Sequence, residues 1–144
     1  MTNPIDVIGS EIQAEFEMFG DWMEKYEYLI ELGKSLPIIA ETYKDEAHLI
    51  KGCQSRVWLH AELQKGKIDF TADSDAIITK GIIALMVRAL SGQNPKDIVT
   101  SKLDFIDQIG LKEHLSPTRS NGLVSMIKQM KYYAIAIESQ NVRS

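Results

Sequence analysis

Two neighbouring segments in the middle of the chain alternate apolar and polar residues with a period of two. The first covers residues 56–64 and the second covers residues 67–73, with a Lys-Gly pair at positions 65–66 between them. This period places every second side chain on one face of a strand, and Lys-Gly suits a tight turn. The pattern predicts an antiparallel β-hairpin with one buried face. The Leu-Ile pair at residues 49–50 fits either a third strand or a simple connection.

The segment before this hairpin shows helical spacing instead. Asn3 and Pro4 suit the cap and first position of a helix, and Asp21 with Glu24 forms a capping box for a second helix. Gly33 is the expected stop of that second helix. We expect the two helices to pack as a helical hairpin around residues 20–21.

Helical spacing returns after the predicted strands. Ser74 or Asp75 can cap a helix that Gly92 ends, and Gly81 inside it indicates close packing. A short helical turn follows, and a long last helix is expected to begin between residues 116 and 121. The prediction is a single α+β domain, residues 1–144, in which a small antiparallel sheet packs with an N-terminal helical hairpin and C-terminal helices.

Cys53 is the only cysteine of the 144 residues. An intrachain disulfide is therefore excluded, and so are zinc sites built from four cysteines or from two cysteines and two histidines. An iron–sulfur cluster normally needs several thiolates, so this chain could hold one only by sharing with a partner. Whatever chemistry Cys53 carries out, it has no second thiol in the chain.

Charge and hydropathy narrow the functional classes further. The net charge is −4, with eleven acids and three bases in residues 1–50, and no basic cluster stands out to indicate nucleic-acid binding. The longest apolar runs, residues 82–87 and 132–137, are far shorter than the roughly 20 residues that cross a bilayer. The first residues lack the pattern of a secretory signal, so a cytoplasmic protein without membrane contact is expected.

The residues around Cys53 read Lys-Gly-Cys-Gln-Ser, a composition typical of a loop, and a loop exposes a thiol. The alternative is a buried, inert cysteine, because free cysteine is among the most buried residue types. Three histidines, His48, His60 and His114, raise a second alternative, a cysteine hydrolase with a histidine base. No spacing marks any of them as that base, and no glycine-rich phosphate loop is present.

Four segments of the chain together resemble one known family. They are residues 22–37 (beginning WMEKYEYLIELG), 52–58 (GCQSRVW), 73–81 (beginning DSDA) and 115–123 (LSPTRSNGL). In this order they resemble the SufE-like sulfur-acceptor proteins of iron–sulfur cluster assembly. The segment around the cysteine is the most specific of the four.

The resemblance implies a SufE/NifU-like α+β fold and a defined activity. Cys53 would take sulfur as a persulfide from a SufS-type cysteine desulfurase, stimulate its turnover, and pass the sulfur to a SufBCD-type scaffold. The pyridoxal phosphate would belong to the desulfurase, so neither a cofactor nor a metal is expected in this chain. The expected assembly is a monomer or a weak homodimer.

The resemblance also implies roles for individual residues. Arg119 is expected near the cysteine loop, where it would stabilise the thiolate or persulfide anion. The loop and partner contacts are expected to comprise Gly52, Gln54, Ser55, Trp58, Asp73 and Asp75. The loop is expected to swing outward on docking, with Gly52 absorbing part of the backbone change. The alternatives are an adaptor that binds the desulfurase without accepting sulfur, an independent cysteine hydrolase, and a cluster scaffold that shares Cys53 in a dimer.

Overall fold

The computed structural model describes the backbone of residues 3–143 and the side chains of residues 3–140. The elements are α1 (Pro4–Glu17), α2 (Trp22–Lys34), β1 (Val57–Gln64), β2 (Lys67–Ser74), α3 (Ile77–Leu90), α4 (Pro95–Thr100), α5 (Asp104–Gln108) and α6 (Pro117–Arg143). Short 3₁₀ turns lie at Glu41–Tyr43, Glu46–His48 and Lys112–His114. In this part of the chain no helix combines the length and hydropathy needed to cross a membrane.

The predicted β-hairpin is confirmed. Strands β1 and β2 pair antiparallel from Val57 opposite Ser74 to Gln64 opposite Lys67. The turn residues between them have φ values of +53° and +81°, the left-handed geometry that a two-residue hairpin turn requires. Residues 49–50 do not extend the sheet as a strand. They form a connection in which Leu49 makes one isolated antiparallel bridge, to Trp58.

The predicted starts of α1 and α2 are also confirmed. The Asn3 side chain accepts a hydrogen bond from the Ile5 amide, and Pro4 is the first helical residue. Asp21 Oδ1 accepts from the Glu24 amide at 2.9 Å. The return bond of the capping box goes one residue earlier than expected, because the Glu24 carboxylate accepts from the Gly20 amide.

The predicted packing of α1 on α2 holds only near the turn that joins them. There Phe16 and Tyr28 meet edge to face, with ring centroids 5.4 Å apart. Beyond the turn, α2 packs mainly along α3, whereas α1 packs mainly against α5. Glu15 of α1 and Arg88 of α3 form an ion pair that Tyr28 also joins, so α3 is the common support of both helices.

Two glycines allow α2 and α3 to approach closely. A Cβ atom placed on Gly81 would lie 2.3 Å from the Leu29 carbonyl oxygen, and one on Gly33 would lie 3.2 Å from the Gly81 nitrogen. The close packing inferred at Gly81 is therefore confirmed. The prediction that Gly33 stops α2 is wrong, since the helix runs on to Lys34 and Gly33 is a contact residue.

The core lies between the inner face of the hairpin, the whole of α3 and one side of α6. Helix α3 is buried around most of its circumference, and the two strands contribute alternate residues to the core. The largest fully buried side chains of the core include Phe16, Phe70, Leu59, Ile83 and Leu85. This core fixes β1, α3 and α6 relative to one another, and these three elements surround the cysteine loop.

Candidate functional site

The cysteine loop, residues 51–56, is anchored at its base by backbone hydrogen bonds. The Ile50 amide donates to the Val57 carbonyl at 2.8 Å, which closes the loop. Arg56 is held to Asp75 on both sides: its amide donates to Asp75 Oδ1 at 3.1 Å, and its carbonyl accepts from the Asp75 amide at 3.3 Å. The loop therefore leaves the fold and returns to it at fixed points.

This use of Asp75 corrects the predicted helix cap. The residue at the cap position of α3 is Ala76, and none of the side chains that the structure describes caps that helix. Ser74 Oγ accepts from the Ala76 amide, just before the helix begins. The Asp75 carboxylate is instead engaged with the cysteine loop, a long-range contact that local sequence does not reveal.

Gly52 holds the loop against α6. Its φ of +95° lies in the left-handed region that favours glycine. A Cβ atom there would lie 2.4 Å from Ser125 Oγ of α6. The backbone conformation therefore favours glycine at this position, and a Cβ atom would in addition displace the Ser125 hydroxyl.

The thiol of Cys53 is half-buried rather than fully exposed or enclosed. Its Sγ–H donates to the carbonyl oxygen of Gly122 at 3.7 Å, a weak hydrogen bond. Burial raises the pKa of the Cys53 thiol above its ordinary value. In this conformation the sulfur is therefore kept as a protonated thiol, which protects it from adventitious reaction.

The first turn of α6 lies beside this loop. The helix begins at Pro117, inside the predicted interval, and Ser116 Oγ accepts from the Arg119 amide at 3.3 Å. This cap orients the turn so that Thr118 and Arg119 stand at the edge of the same cavity as the thiol. The predicted proximity of Arg119 to the cysteine loop thus has a local cause in the Ser-Pro-Thr-Arg sequence.

A cavity of about 250 Å³ joins the two segments. Its wall consists of Cys53, Gln54, Ser55, Thr79, Ile82, Ser116, Thr118, Arg119, Gly122 and Met126. Four of the residues singled out in the sequence, Cys53, Gln54, Ser55 and Arg119, therefore share one space. The sequence did not mark Thr79, Gly122 or Met126 as residues of this cavity. Gly122 and Met126 are four residues apart on α6, and this spacing could have indicated that they share one face of the helix. No local signal indicated Thr79.

The cavity places one basic residue and two helix starts near the thiol. Arg119 lines the wall, and the first turns of α3 and α6 contribute Thr79 and Thr118. Helix N-termini carry partial positive charge, which stabilises a nearby negative group. In the resting conformation burial is the effect that moves the thiol pKa, and it disfavours the thiolate.

Trp58 and Asp73 lie outside the cavity, where they face each other across the hairpin. Lys44 Nζ lies 2.7 Å from Asp73 Oδ2 and 5.6 Å from the centre of the Trp58 ring. Burial raises the pKa of Asp73, but the hydrogen bonds from Lys44 and the Ser74 amide and the charge of Lys80 outweigh it, so the pKa is lowered. These residues form a neighbouring ionic cluster rather than part of the thiol site.

The three histidines do not reach the thiol site. His48 and His60 face each other at 3.3 Å, and His60 stacks on Tyr43, while His114 stacks on Trp22. Among the described side chains, none of the three lines the Cys53 cavity. In this geometry, none of the three histidines can serve as the base that the cysteine-hydrolase alternative needs.

The fold and the site together define a class: small α+β proteins that present one cysteine on an anchored loop, beside an arginine from the start of a long helix. A family model described as "Fe-S metabolism associated domain", SufE, matches residues 10–134. The chain belongs to the SufE family, which is associated with iron–sulfur metabolism.

Several curated relatives agree with this assignment. An uncharacterised SufE-like protein of Synechocystis is 37% identical over 129 residues, 90% of this chain and 81% of that protein. One from Rhizobium meliloti is 38% identical over 126 residues, 84% of this chain and 90% of its own length. SufE-like protein 1 of Arabidopsis thaliana, named chloroplastic/mitochondrial, is 35% identical over 94% of this chain, which spans 38% of that protein.

A solved structure supports the fold independently. The solution structure of a hypothetical protein from Thermus thermophilus superposes with a TM-score of 0.78. The match covers 96% of this chain and 99% of the other, at 19% identity. At that identity the likeness concerns the fold, and it confirms the predicted α+β architecture.

Proposed function

We propose that this protein is a sulfur carrier that accepts a persulfide sulfur on Cys53 from a cysteine desulfurase and delivers it to an iron–sulfur assembly scaffold. One observation supports this most strongly. The single thiol stands at a cavity of about 250 Å³ whose wall also holds Arg119 and the start of α6. The wall favours an anionic sulfur group, and the chain has no second thiol that would discharge it as sulfide.

The transfer itself is a thiol–disulfide exchange. The Cys53 thiol loses its proton, and the thiolate attacks the outer sulfur of the donor's persulfide. A bond forms between Cys53 Sγ and that outer sulfur while the donor's own S–S bond breaks, and the donor leaves as a thiolate. No external oxidant or reductant is needed, because the sulfane sulfur keeps its oxidation level. Removing the persulfide frees the desulfurase for another turnover.

Docking has to activate a thiol that the resting fold keeps protonated. Burial raises the pKa of Cys53, and its proton is directed to the Gly122 carbonyl. Outward movement of the cysteine loop would break that contact and relieve the burial, and Gly52 would absorb part of the backbone change. Arg119 would then stabilise the thiolate and afterwards the persulfide anion.

The partners follow from the same proposal. The donor is a SufS-type desulfurase, which carries the pyridoxal phosphate, and the acceptor is a SufBCD-type scaffold. Gln54 and Ser55 on the cavity rim would contact the donor, with Trp58, Asp73 and Asp75 at the edge of the contact. This chain would need no cofactor and no metal of its own, and it would work in the cytoplasm as a monomer or weak dimer.

Intact-mass measurement tests the proposal directly. After incubation with a cysteine desulfurase and cysteine, the protein should gain the mass of one or more sulfur atoms, removable by reductant. Cys53→Ser should still bind the desulfurase but gain no mass and give no stimulation. If this variant stimulated the desulfurase as well as the wild type, the protein would be an adaptor. Visible iron–sulfur absorption after reconstitution would instead indicate a scaffold.

A further inference from the structure

A second concave surface lies on α6, away from the cysteine. This surface, which we call the α6 groove, has a volume of about 350 Å³ and runs between α6 and the segment around α5. Leu103, Ile106 and Ile127 form its apolar floor. It shares no lining residue with the Cys53 cavity.

The rim of the α6 groove exposes large apolar side chains. Val124, Tyr132 and Ile135 follow one stripe of α6, with 45%, 57% and 48% of their surfaces exposed. Contiguous exposed apolar side chains around a cleft are typical of an interaction site, whereas isolated ones are ordinary. An occupant with apolar side chains would therefore cover them.

The charged residues of the α6 groove are almost all basic. Lys102, Lys112, Lys128 and Lys131 line it together with one acid, Asp107, so its formal charge is four minus one, or +3. Lys112 lies 3.7 Å from Asp107. Within the residues whose side chains the structure describes, Lys102 and Lys128 form no ion pair. No sequence run indicates this cluster, because the fold assembles it from positions 102 to 131.

The α6 groove and the thiol lie on opposite sides of the same helix. Gly122 and Met126 face Cys53, whereas Val124 and Lys128 line the groove. At 100° per residue, Val124 projects about 160° away from Gly122 around the helix axis. A molecule bound in the groove would therefore leave the Cys53 cavity open.

We propose that the α6 groove binds an acidic amphipathic segment of a partner protein, with its apolar side chains in the cleft and its carboxylates toward the lysines. The concave shape suits inserted side chains, and the positive rim complements an acidic segment. A second copy of this chain is less suitable. A contact between the acidic first fifty residues of one copy and the groove of another joins two different surfaces, and such contacts form open chains unless the rotation closes the ring.

A synthetic peptide provides the probe. We suggest a fluorescent amphipathic peptide of leucine and glutamate at helical spacing, with a matched peptide that carries lysine in place of glutamate. Fluorescence anisotropy with the full chain should show binding of the acidic peptide alone, weakening as salt is raised. Amide shifts in the NMR spectrum should cluster at Val124, Ile127, Tyr132 and Ile135.

Charge reversal within the groove sharpens the test. Lys128→Glu should lower the affinity for the acidic peptide by about tenfold, while Lys67→Glu on the β-hairpin should leave that affinity unchanged. Sulfur acceptance on Cys53 should be normal in both variants, which shows that both are folded. Tyr132→Ser should also weaken binding, through loss of apolar contact.

Several outcomes would overturn the proposal. These are equal binding of both peptides, amide shifts outside the groove, or an unchanged affinity in Lys128→Glu. Self-association in sedimentation that Lys128→Glu abolishes would assign the groove to a second copy. Binding of phosphatidylserine vesicles in place of the peptide would assign it to a lipid surface. Because sulfur acceptance is measured separately, failure here leaves the carrier function unaffected.

Discussion

The Sγ atom of Cys53 lies 3.7 Å from the carbonyl oxygen of Gly122, one helix turn beyond the start of α6. The same glycine leaves free space beside the sulfur, because a Cβ atom on it would lie 3.4 Å from Sγ. A long helix thus provides both the acceptor for the thiol proton and the room next to the sulfur. Other side chains at this position would occupy that room.

Gly122→Ala should separate stability from function. Alanine inside a helix is favoured over glycine by about 1 kcal/mol, and 3.4 Å is an ordinary contact distance, so the free energy of unfolding should rise by up to that amount. The added methyl group should slow persulfide formation, because it narrows the space beside Sγ. Urea unfolding and timed intact-mass measurements would check the two effects. A stabilised variant with an unchanged transfer rate would contradict this account of the cavity.

The pH dependence of Cys53 alkylation should reveal its burial. Because burial raises the pKa of this thiol, the iodoacetamide rate should rise with a midpoint above the ordinary value of about 8.5. Addition of the proposed desulfurase donor should shift the midpoint downward if docking exposes the sulfur. An unshifted midpoint in a bound complex would count against activation by loop movement.

The same shift predicts a pH effect on stability. Ionisation of the Cys53 thiol costs more in the folded protein than in the unfolded chain, so its contribution is present below the unfolded pKa. That contribution is lost as the pH rises from about 8.5 through the higher folded pKa. The difference in unfolding free energy between wild type and Cys53→Ser should therefore fall over this range. A difference that stays constant with pH would argue that the thiol is not buried in solution.

Asp75→Ala should loosen the base of the cysteine loop. The variant removes the carboxylate that accepts the Arg56 amide, so hydrogen exchange at that amide should accelerate by about fivefold. Asp75→Asn is the matched control, since its side-chain oxygen can still accept this bond. Two-dimensional NMR of exchanging amides would measure both. Equal acceleration in the two variants would mean that charge, rather than the hydrogen bond, holds the loop.

Gly81→Ala should destabilise the fold by about 1 kcal/mol. A Cβ atom there would meet the Leu29 carbonyl oxygen at 2.3 Å, and overpacking of this kind typically costs about 2 kcal/mol. The gain of about 1 kcal/mol in helix propensity offsets only part of that cost. Gly20→Ala is the control, because nothing lies within 4 Å of a Cβ atom at that position. Thermal unfolding of both variants would compare them, and equal stability would show that α2 and α3 can separate at little cost.

Local signals predicted much of the fold. The hairpin was evident because its alternation and its Lys-Gly turn are properties of adjacent residues, and the starts of α1, α2 and α6 follow from capping residues of the same kind. Gly33 was misread as a helix stop because its role is a contact with Gly81, nearly fifty positions away. Asp75 was misread as a cap because its partner, Arg56, belongs to another segment.

The candidate site was predicted in a different way. The residues alone marked Cys53 as a lone thiol in a loop, and the nearness of Arg119 came from the resemblance to a family. Neither source indicated the contact of Gly122 with the sulfur, the half-burial of the sulfur or the lysines of the α6 groove. These features depend on how α6 packs against the hairpin and α5, and that packing is long-range.

In the proposed carrier role, the anchors at Ile50 and Val57 would act as a short tether for the sulfur on Cys53. Cys53 is three residues from the first anchor, and three extended residues span about 10 Å at most. The cargo therefore travels only a short distance from the surface, however freely the loop moves. A donor enzyme would have to bring its own sulfur to within that reach. Shape fit at the mouth of the loop, more than binding affinity, would then decide which donors can exchange sulfur with Cys53.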